Sequence, residues 1–576
     1  MTKKQEKTQE NPKANLKITA LGGLHEIGKN NFIFEANDEI IVVDSGVYFP
    51  GHDSPGIDYT VSDYNYLIQN VKKIKAIFIT SVDDFHMGGA HHLINKLSIK
   101  NIYGSSLALE LLKVKLGKQA KEKHNFFEYE SRKKINEGSF TVTPLFMTSS
   151  SHANYSLHIE ANGNTVFYSG SFKIDQTPID NHKTDVVGIT ELGCEAREKG
   201  KGVDLYLGDS ANVEKEGYSR SESELIKRFE EILSNSAGRI IFNTYTENTI
   251  RIQNLLRVAD RLGRKVSLLN KETKDMIEAL LSAKIIDPNR KFVNLQEIKE
   301  LKDSEVLVLS TASEGEALKE LEKIAFDEHS QFQIKEGDTI VNSGDLPPGT
   351  VRVMAQISDA LFLKKANIIG GRNANIHVES HAKTEELKFI FNILRPRFFV
   401  PMVGETRHLV KHAKLAVETG FDPGSIFILE NGDQIELYNN NLEISGRLNT
   451  NEILYSDSQD FQVDTKIVKE RDALAQDGIV TVSFTLNKKN QIVAGPMFSA
   501  KACTFSNNKE WRAFCLMNTI ELIDEIENLN EENPKSDLND FQDAVREKMN
   551  HLIKTQIGKK PSVVVLANQI RAGVNQ

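Results

Sequence analysis

The stretch LGGLHEIGKNNFIFEANDEIIVVDSG, from Leu21 to Gly46, decides how the chain begins to fold. Within it Ile40 to Val43 is an unbroken apolar run closed by Asp44, the pattern of a buried strand. Working outward, Ala76 to Thr80 reads as a second buried strand and Leu107 to Leu116 as a helix. Short β-rich segments alternate with amphipathic ones from Leu16 onward, which predicts a layered α/β fold. From about Ser221 to Gly370 the rhythm changes: Arg239 to Thr244 is strand-like, Asn248 to Arg261 helical, and Lys265 to Leu269 strand-like again, as in a parallel sheet with crossover helices. A helix at Thr384 to Leu394 and a strand at Phe398 to Met402 follow. A third unit near the end holds a strand-like DGIVTVSFTL from Asp477, acidic helices, a polar break near Asn533 and Pro534, and a final strand, SVVVLA. The charge-rich tract Glu521 to Asp540 reads as a solvated helix face and loop.

The chain has 576 residues, room for three or four compact units at about 150 residues each. Hydrophobic residues at 39% and charged residues at 26% suit a folded globular protein and exclude wholesale disorder. The formal charge is -9, so an RNA partner would have to find a local basic groove rather than an attractive overall field. Cys194, Cys503 and Cys515 are widely spaced, form no zinc knuckle and suit a reducing compartment. No apolar run approaches the roughly 18 residues of a membrane span, and MTKKQEKTQENPKAN lacks the apolar middle of a secretory signal. A cytoplasmic protein with a disordered basic tail over residues 1–15 is expected.

The opening stretch, together with YSGSFKIDQTP from Tyr168 and LGDSANVEKEGYS from Leu207, resembles blocks of the metallo-β-lactamase fold in ribonucleases of the J type. TASEGEA at Thr311, HVESHAKTEEL at His377 and PMVGETRH at Pro401 follow in the family's order and spacing, and DGI at Asp477 and AGP at Ala494 extend the likeness to the C-terminal unit. The chain looks most like the second, degenerate paralogue found beside a ribonuclease J in Gram-positive bacteria. The resemblance implies an α/β architecture: a metallo-β-lactamase αββα sandwich over 16–214 and 373–445, interrupted by a β-CASP domain over 215–372. A linker over 446–475 and a small C-terminal α/β assembly domain over 476–576 complete it.

In an active member, the resemblance further implies, a loop His-x-His-x-Asp-His supports two metal ions that activate water and neutralise the attacked phosphate. Here Ser81, Asp83 and Phe85 stand in place of the first three of those ligands, and only His86 remains. Ser149 takes the place of a later His, with His152 three residues out of register; Ser171 replaces a bridging Asp, and Val403 the final His. No intact catalytic set, no dinuclear zinc or manganese and no other cofactor is therefore expected. Asp83, Asp84 and His86 could hold one weak ion, but solvated or capping roles are the simpler reading. Asp44 is expected to tie down the loop after its strand, and His25, His91 and His92 are given no role.

RNA contacts are separable from metals. Ser313 and Glu316, in a Gly-containing turn after EVLVLS, and His377, Ser380 and His381, before a helix, are candidate phosphate-binding residues. Glu379 and Ala382, where the family has Ser and Gly, would crowd or repel a phosphate. Arg251, beside Asn248 at a helix start, is a phosphate contact or a carbonyl cap. Asp209 is expected to hold His377 or a turn. Trp511, next to Arg512 and Phe514, is expected in core or interface packing rather than as a base-stacking platform. Three readings follow: a non-catalytic partner of an active ribonuclease J in a homo- or hetero-oligomer, with RNA as a possible ligand; a weak 5′-3′ exo- or endoribonuclease with a remodelled site; and an RNA-binding scaffold of a decay complex.

Overall fold

The computed structural model describes residues 15–50, 54–152, 154–199, 202–345, 349–456, 461–487, 491–532 and 538–570. The runs read as buried strands, such as Ile40 to Val43, are apolar throughout because both faces of their sheet are covered. Glu39–Val43 lies inside an eight-stranded sheet ordered Asn441–Arg447, Asp433–Tyr438, Leu16–Gly22, Asn31–Ala36, Glu39–Val43, Ile74–Phe78, Asn101–Gly104, Asn125–Glu128. A six-stranded sheet is ordered Phe398–Met402, Leu205–Asp209, Asn164–Tyr168, Tyr155–Ala161, Phe140–Phe146, Ile135–Glu137. Phe32, Phe34, Ile41, Val43 and Phe78 of the first sheet share one core with Val142, Leu157, Ile159, Leu207 and Val400 of the second. The second sheet's other face buries Phe167, Tyr206 and Phe399 against Leu387, Ile390 and Phe391 of helix Thr384–Leu394. Helix Ser106–Leu116 packs beside strand Asn101–Gly104 of the first sheet, which completes the αββα sandwich.

Strands Leu205–Asp209 and Phe398–Met402 are parallel neighbours, Leu205 opposite Phe398 and Asp209 opposite Met402. The chain between them leaves the sandwich and forms a parallel five-stranded sheet ordered Lys265–Leu268, Val306–Ala312, Ile240–Tyr245, Thr339–Ser343, Asn367–Ile369, with its own core around Ile241, Val308, Ile340, Leu321 and Leu361. At the base of this insert the backbone N–H groups of Thr384 and Glu385 donate to the carbonyls of Lys215 (3.1 Å) and Gly217 (3.2 Å).

A second compact unit is formed by residues 50–58 and 454–576. Strand Ile479–Leu486 pairs antiparallel with Ile492–Lys501 and parallel with Ser562–Gln569, and it alternates buried and half-buried residues in period two. Its inward residues Val480, Val482 and Phe484 pack with Phe541 and Met549. Trp511 sits in this core between Phe505 (ring centroids 4.9 Å apart) and Phe514 (5.5 Å). The stretch expected as a linker over 446–475 is instead structured: strands Glu452–Ser456 and Phe461–Val463, then helix Thr465–Asp477, whose N-terminus is capped by Asp464 accepting from the Lys466 N–H at 2.8 Å. That helix buries none of its residues fully, so it lacks the apolar stripe that betrays a helix in sequence. The tail 1–14 and the polar break at Asn533 and Pro534 lie outside the described residues. Among the described residues no helix is long and apolar enough to cross a membrane.

Candidate functional site

Every sandwich position expected to carry a metal ligand lies on a loop at one edge of the sandwich. Strands Glu39–Val43 and Ile74–Phe78 run parallel and end there, as do Asn164–Tyr168, Leu205–Asp209 and Phe398–Met402. Loops at the carboxyl ends of parallel strands are where such sheets place ligands. Asp44 follows the first of these strands in the left-handed region at φ 61°. After the second, Asp83 accepts the Phe85 N–H at 2.9 Å and so caps the short helix Asp84–Met87.

His86, the one retained ligand, is completely buried and spoken for at both ring nitrogens. Its Nδ1 lies 2.7 Å from Asp44 Oδ2 and its Nε2 2.7 Å from Ser171 Oγ. Asp44 also accepts the Thr80 N–H (2.8 Å), the Thr80 hydroxyl (2.6 Å) and the Tyr168 hydroxyl (3.0 Å). It is thus the hub of the pocket rather than a brace for the following loop, and it orients the imidazole in the way a carboxylate orients a ligating histidine. Burial opposes charge on His86, but the neighbouring Asp44 carboxylate outweighs it and holds the imidazole above its ordinary range. Burial, with Asp44 adding, pushes the Tyr168 phenol far up.

The other positions where the resemblance implies metal ligands make contacts of their own. Ser81 Oγ donates to Asn154 Oδ1 (3.1 Å) and accepts the Asp83 N–H (3.1 Å), while Asn154 Nδ2 donates to the Ser171 carbonyl (2.7 Å). Ser149 Oγ donates to the Ser380 carbonyl at 3.3 Å. The Phe85 ring stands 6.0 Å from that of Phe49 and so close to Gly28, at φ 119°, that a Cβ there would come within 2.9 Å of it. Val403 is fully buried in the sandwich core and donates its N–H to the Gly23 carbonyl at 2.8 Å. Its φ of 54° is a left-handed conformation that a β-branched side chain resists. Among the described residues no three His, Cys, Asp or Glu side chains form a group that could hold a metal ion. The metal pair that the resemblance implies does not fit this pocket, because hydroxyls, a phenyl ring and an isopropyl group stand where imidazole or carboxylate donors are required.

The RNA candidates fall into two groups. His381 joins the pocket: its Nδ1 lies 2.6 Å from Asp209 Oδ2, and Asp209 with Asp83 holds it above the ordinary imidazole range against the effect of burial. Asp209 therefore holds His381, not His377, and also a turn through the Ala211 N–H at 3.0 Å. Asp83 is itself raised by burial, although His86 pulls the other way. Arg251 has no exposed face. Its guanidinium donates to Glu222 (2.7 and 3.3 Å), the carbonyls of Ser343 (2.9 Å) and Val378 (3.1 Å), and Nδ1 of His377 (2.9 Å). A side chain so enclosed braces the insert and cannot reach a phosphate. Ser313 and Glu316 lie at the start of helix Glu314–Ala325; the Ser313 N–H already donates to Glu272 (3.1 Å), a carboxylate whose pKa burial and then the nearby Asp84 raise to about 7, and Glu316 pairs with Lys319 (2.5 Å). Glu379, beside Ser380, pairs with Lys383 at 3.1 Å.

Lys173 and the role of His152 carry no signal in the sequence. Lys173 in SGSFK is wholly buried and donates to the carbonyls of Arg220 (3.0 Å) and Glu379 (3.1 Å), its pKa lowered by burial. His152 packs on helix Thr249–Arg261 through Thr249 Oγ1 (3.0 Å) and Gln253 Oε1 (3.3 Å), and burial brings its pKa down to about 4. Both stitch the sandwich to the insert.

Three family models match the chain: "Ribonuclease J, beta-CASP domain" over 237–361, "Zn-dependent metallo-hydrolase RNA specificity domain" over 369–426 and "Ribonuclease J C-terminal domain" over 466–570. Ribonuclease J of Synechocystis sp. is 33% identical over 96% of this chain and 86% of its own length. Ribonuclease J2 of Bacillus subtilis is 30% identical over 96% and 99%, and ribonuclease J 2 of Staphylococcus aureus 27% over 96% and 98%. A crystal structure of a protein of unknown function from Enterococcus faecalis covers 74% of the chain at a TM-score of 0.50 and 16% identity, and all of that protein is matched, which speaks for the fold alone. With identity sustained from the sandwich through the insert to the terminal unit, the chain belongs to the ribonuclease J family.

Proposed function

We propose that the chain is a non-catalytic ribonuclease J paralogue of the cytoplasm, which partners an active ribonuclease J in RNA processing and decay and contributes RNA grip rather than cleavage. One observation carries this reading: His86, the one implied ligand position that keeps its residue, has both nitrogens engaged by Asp44 and Ser171, and the other implied positions are Ser81, Asp83, Phe85, Ser149, Ser171 and Val403. A dinuclear hydrolase needs imidazole or carboxylate donors around both ions to offset their desolvation. The test is elemental analysis and a 5′ exonuclease assay on the purified protein, alone and mixed with the active ribonuclease J of the same organism. We expect far less than one transition metal per chain, no metal-dependent cleavage alone, and co-elution with the active enzyme. Stoichiometric zinc or manganese, with activity lost on chelation, would show instead a remodelled ribonuclease.

A further inference from the structure

An open pocket between the loop that follows strand Asn164–Tyr168 and helix Thr249–Arg261 is lined by Ile179, Ile226, Asn254, Arg257, Asp260 and Arg261. Four of these belong to helix Thr249–Arg261, and Asn254, Arg257 and Arg261 fall three and four residues apart, so they share one helix face. Asn254 is 1% exposed, and neither its Oδ1 nor its Nδ2 has a partner among the described residues. Leaving a buried amide unsatisfied costs stability, and such a group in a native protein calls for an explanation. The charges around it are not equivalent. Arg261 pairs with Glu230 at 2.5 Å, and Asp260 pairs with Arg290. Arg257 is exposed and makes no ion pair or hydrogen bond among the described residues, which leaves it as the cation of the pocket. Ile179 and Ile226 are half-buried apolar walls.

We infer that this pocket takes one nucleotide unit of RNA, the base against Ile179 and Ile226 with an edge on the Asn254 amide, and its phosphate on Arg257. An amide offers a donor and an acceptor side by side, the complement of a base edge, and a guanidinium suits a phosphate. The inference deepens the RNA-binding part of the proposed function and rests on it for the identity of the chain of nucleotides. A free nucleoside monophosphate carries the same chemistry, and the test separates the two sources.

Binding of a labelled single-stranded RNA and of AMP to the full-length protein is measured for the wild type, R257E and N254A. R257E should weaken RNA binding on the order of tenfold and flatten its salt dependence by about one phosphate contact. N254A removes the unsatisfied amide, so it should not lower the melting temperature, yet it should weaken binding at least about threefold. Binding of AMP but not RNA, lost in R257E, would keep the site, assign it to free nucleotides and sink the RNA reading. RNA binding unchanged in both variants would overturn the site while leaving the RNA reading intact. Wild-type protein that binds neither probe would overturn both.

Discussion

The sandwich pocket and the Arg251 cluster are both buried and polar, yet they have fared differently. In the pocket, the positions where the family resemblance implies metal ligands carry Ser81, Ser149, Ser171, Phe85 and Val403, and His86 is held by an internal carboxylate. In the cluster, Arg251 and Glu222 keep full charges at 0% and 2% exposure, and the arginine is matched by Glu222, two carbonyls and an imidazole. The pocket thus surrounds one paired imidazole with hydroxyl and apolar side chains, whereas the cluster matches a buried charge at every donor.

The largest break in this comparison should come from Arg251→Leu, which strands Glu222 in the interior. We expect a loss of about 3–5 kcal/mol, read as a fall in urea midpoint, since removing one member of a buried pair leaves an uncompensated charge. A loss below about 1 kcal/mol would mean that the cluster is as dispensable as the metal ligands. Asp44→Asn attacks the pocket instead. It should cost about 1–3 kcal/mol through weakened hydrogen bonds and drop the His86 pKa in an NMR titration, because the carboxylate that lifts it is gone. An unmoved His86 resonance would remove Asp44 from its place as hub.

Acid should act on two buried histidines: His152, where the sandwich meets the insert, and His412 of helix Thr406–Glu418, whose Nδ1 lies 2.9 Å from Ser210 Oγ. His152 and His412 are buried neutral, with pKa values brought down by burial to about 4 and about 3. A depressed histidine stabilises fully above its unfolded value of about 6.5 and loses that contribution as pH falls toward the folded value. Urea midpoints should therefore fall between pH 6.5 and 4.5, and His152→Gln should flatten that slope. A wild-type midpoint that holds steady over this window would contradict the assignment.

The smallest effect is expected from an attempt to restore the enzyme. Returning Ser81→His, Asp83→His, Phe85→Asp, Ser149→His, Ser171→Asp and Val403→His recreates the ligand types but not every group that orients them, and missing orienters cost roughly 10- to 100-fold each in affinity or activity. Some metal uptake and little nuclease turnover should result. Near-normal 5′ exonuclease turnover would show that the cleft remains an enzyme's in all but its ligands.

The layered α/β fold was legible in the sequence, because buried strands are apolar runs. Contacts between distant segments were not. Arg251 meets Glu222, Ser343, His377 and Val378 only through the tertiary fold, and helix Thr465–Asp477 hides because no apolar stripe marks it. Asp44 stood in plain view after IIVV, but its four donors arrive from Thr80, His86 and Tyr168, which no local pattern links to it.

The insert springs from two adjacent parallel strands, and its base is closed by hydrogen bonds between residues 215–217 and 384–385. Parallel neighbours cannot be joined by a hairpin and need a crossover, usually a helix. Helix Thr384–Leu394 already supplies one, ending just before Phe398. In topological terms the β-CASP domain is a cassette threaded into a single βαβ connection: its two cut ends lie within reach of each other, and the crossover they would need travels with the sandwich rather than with the cassette.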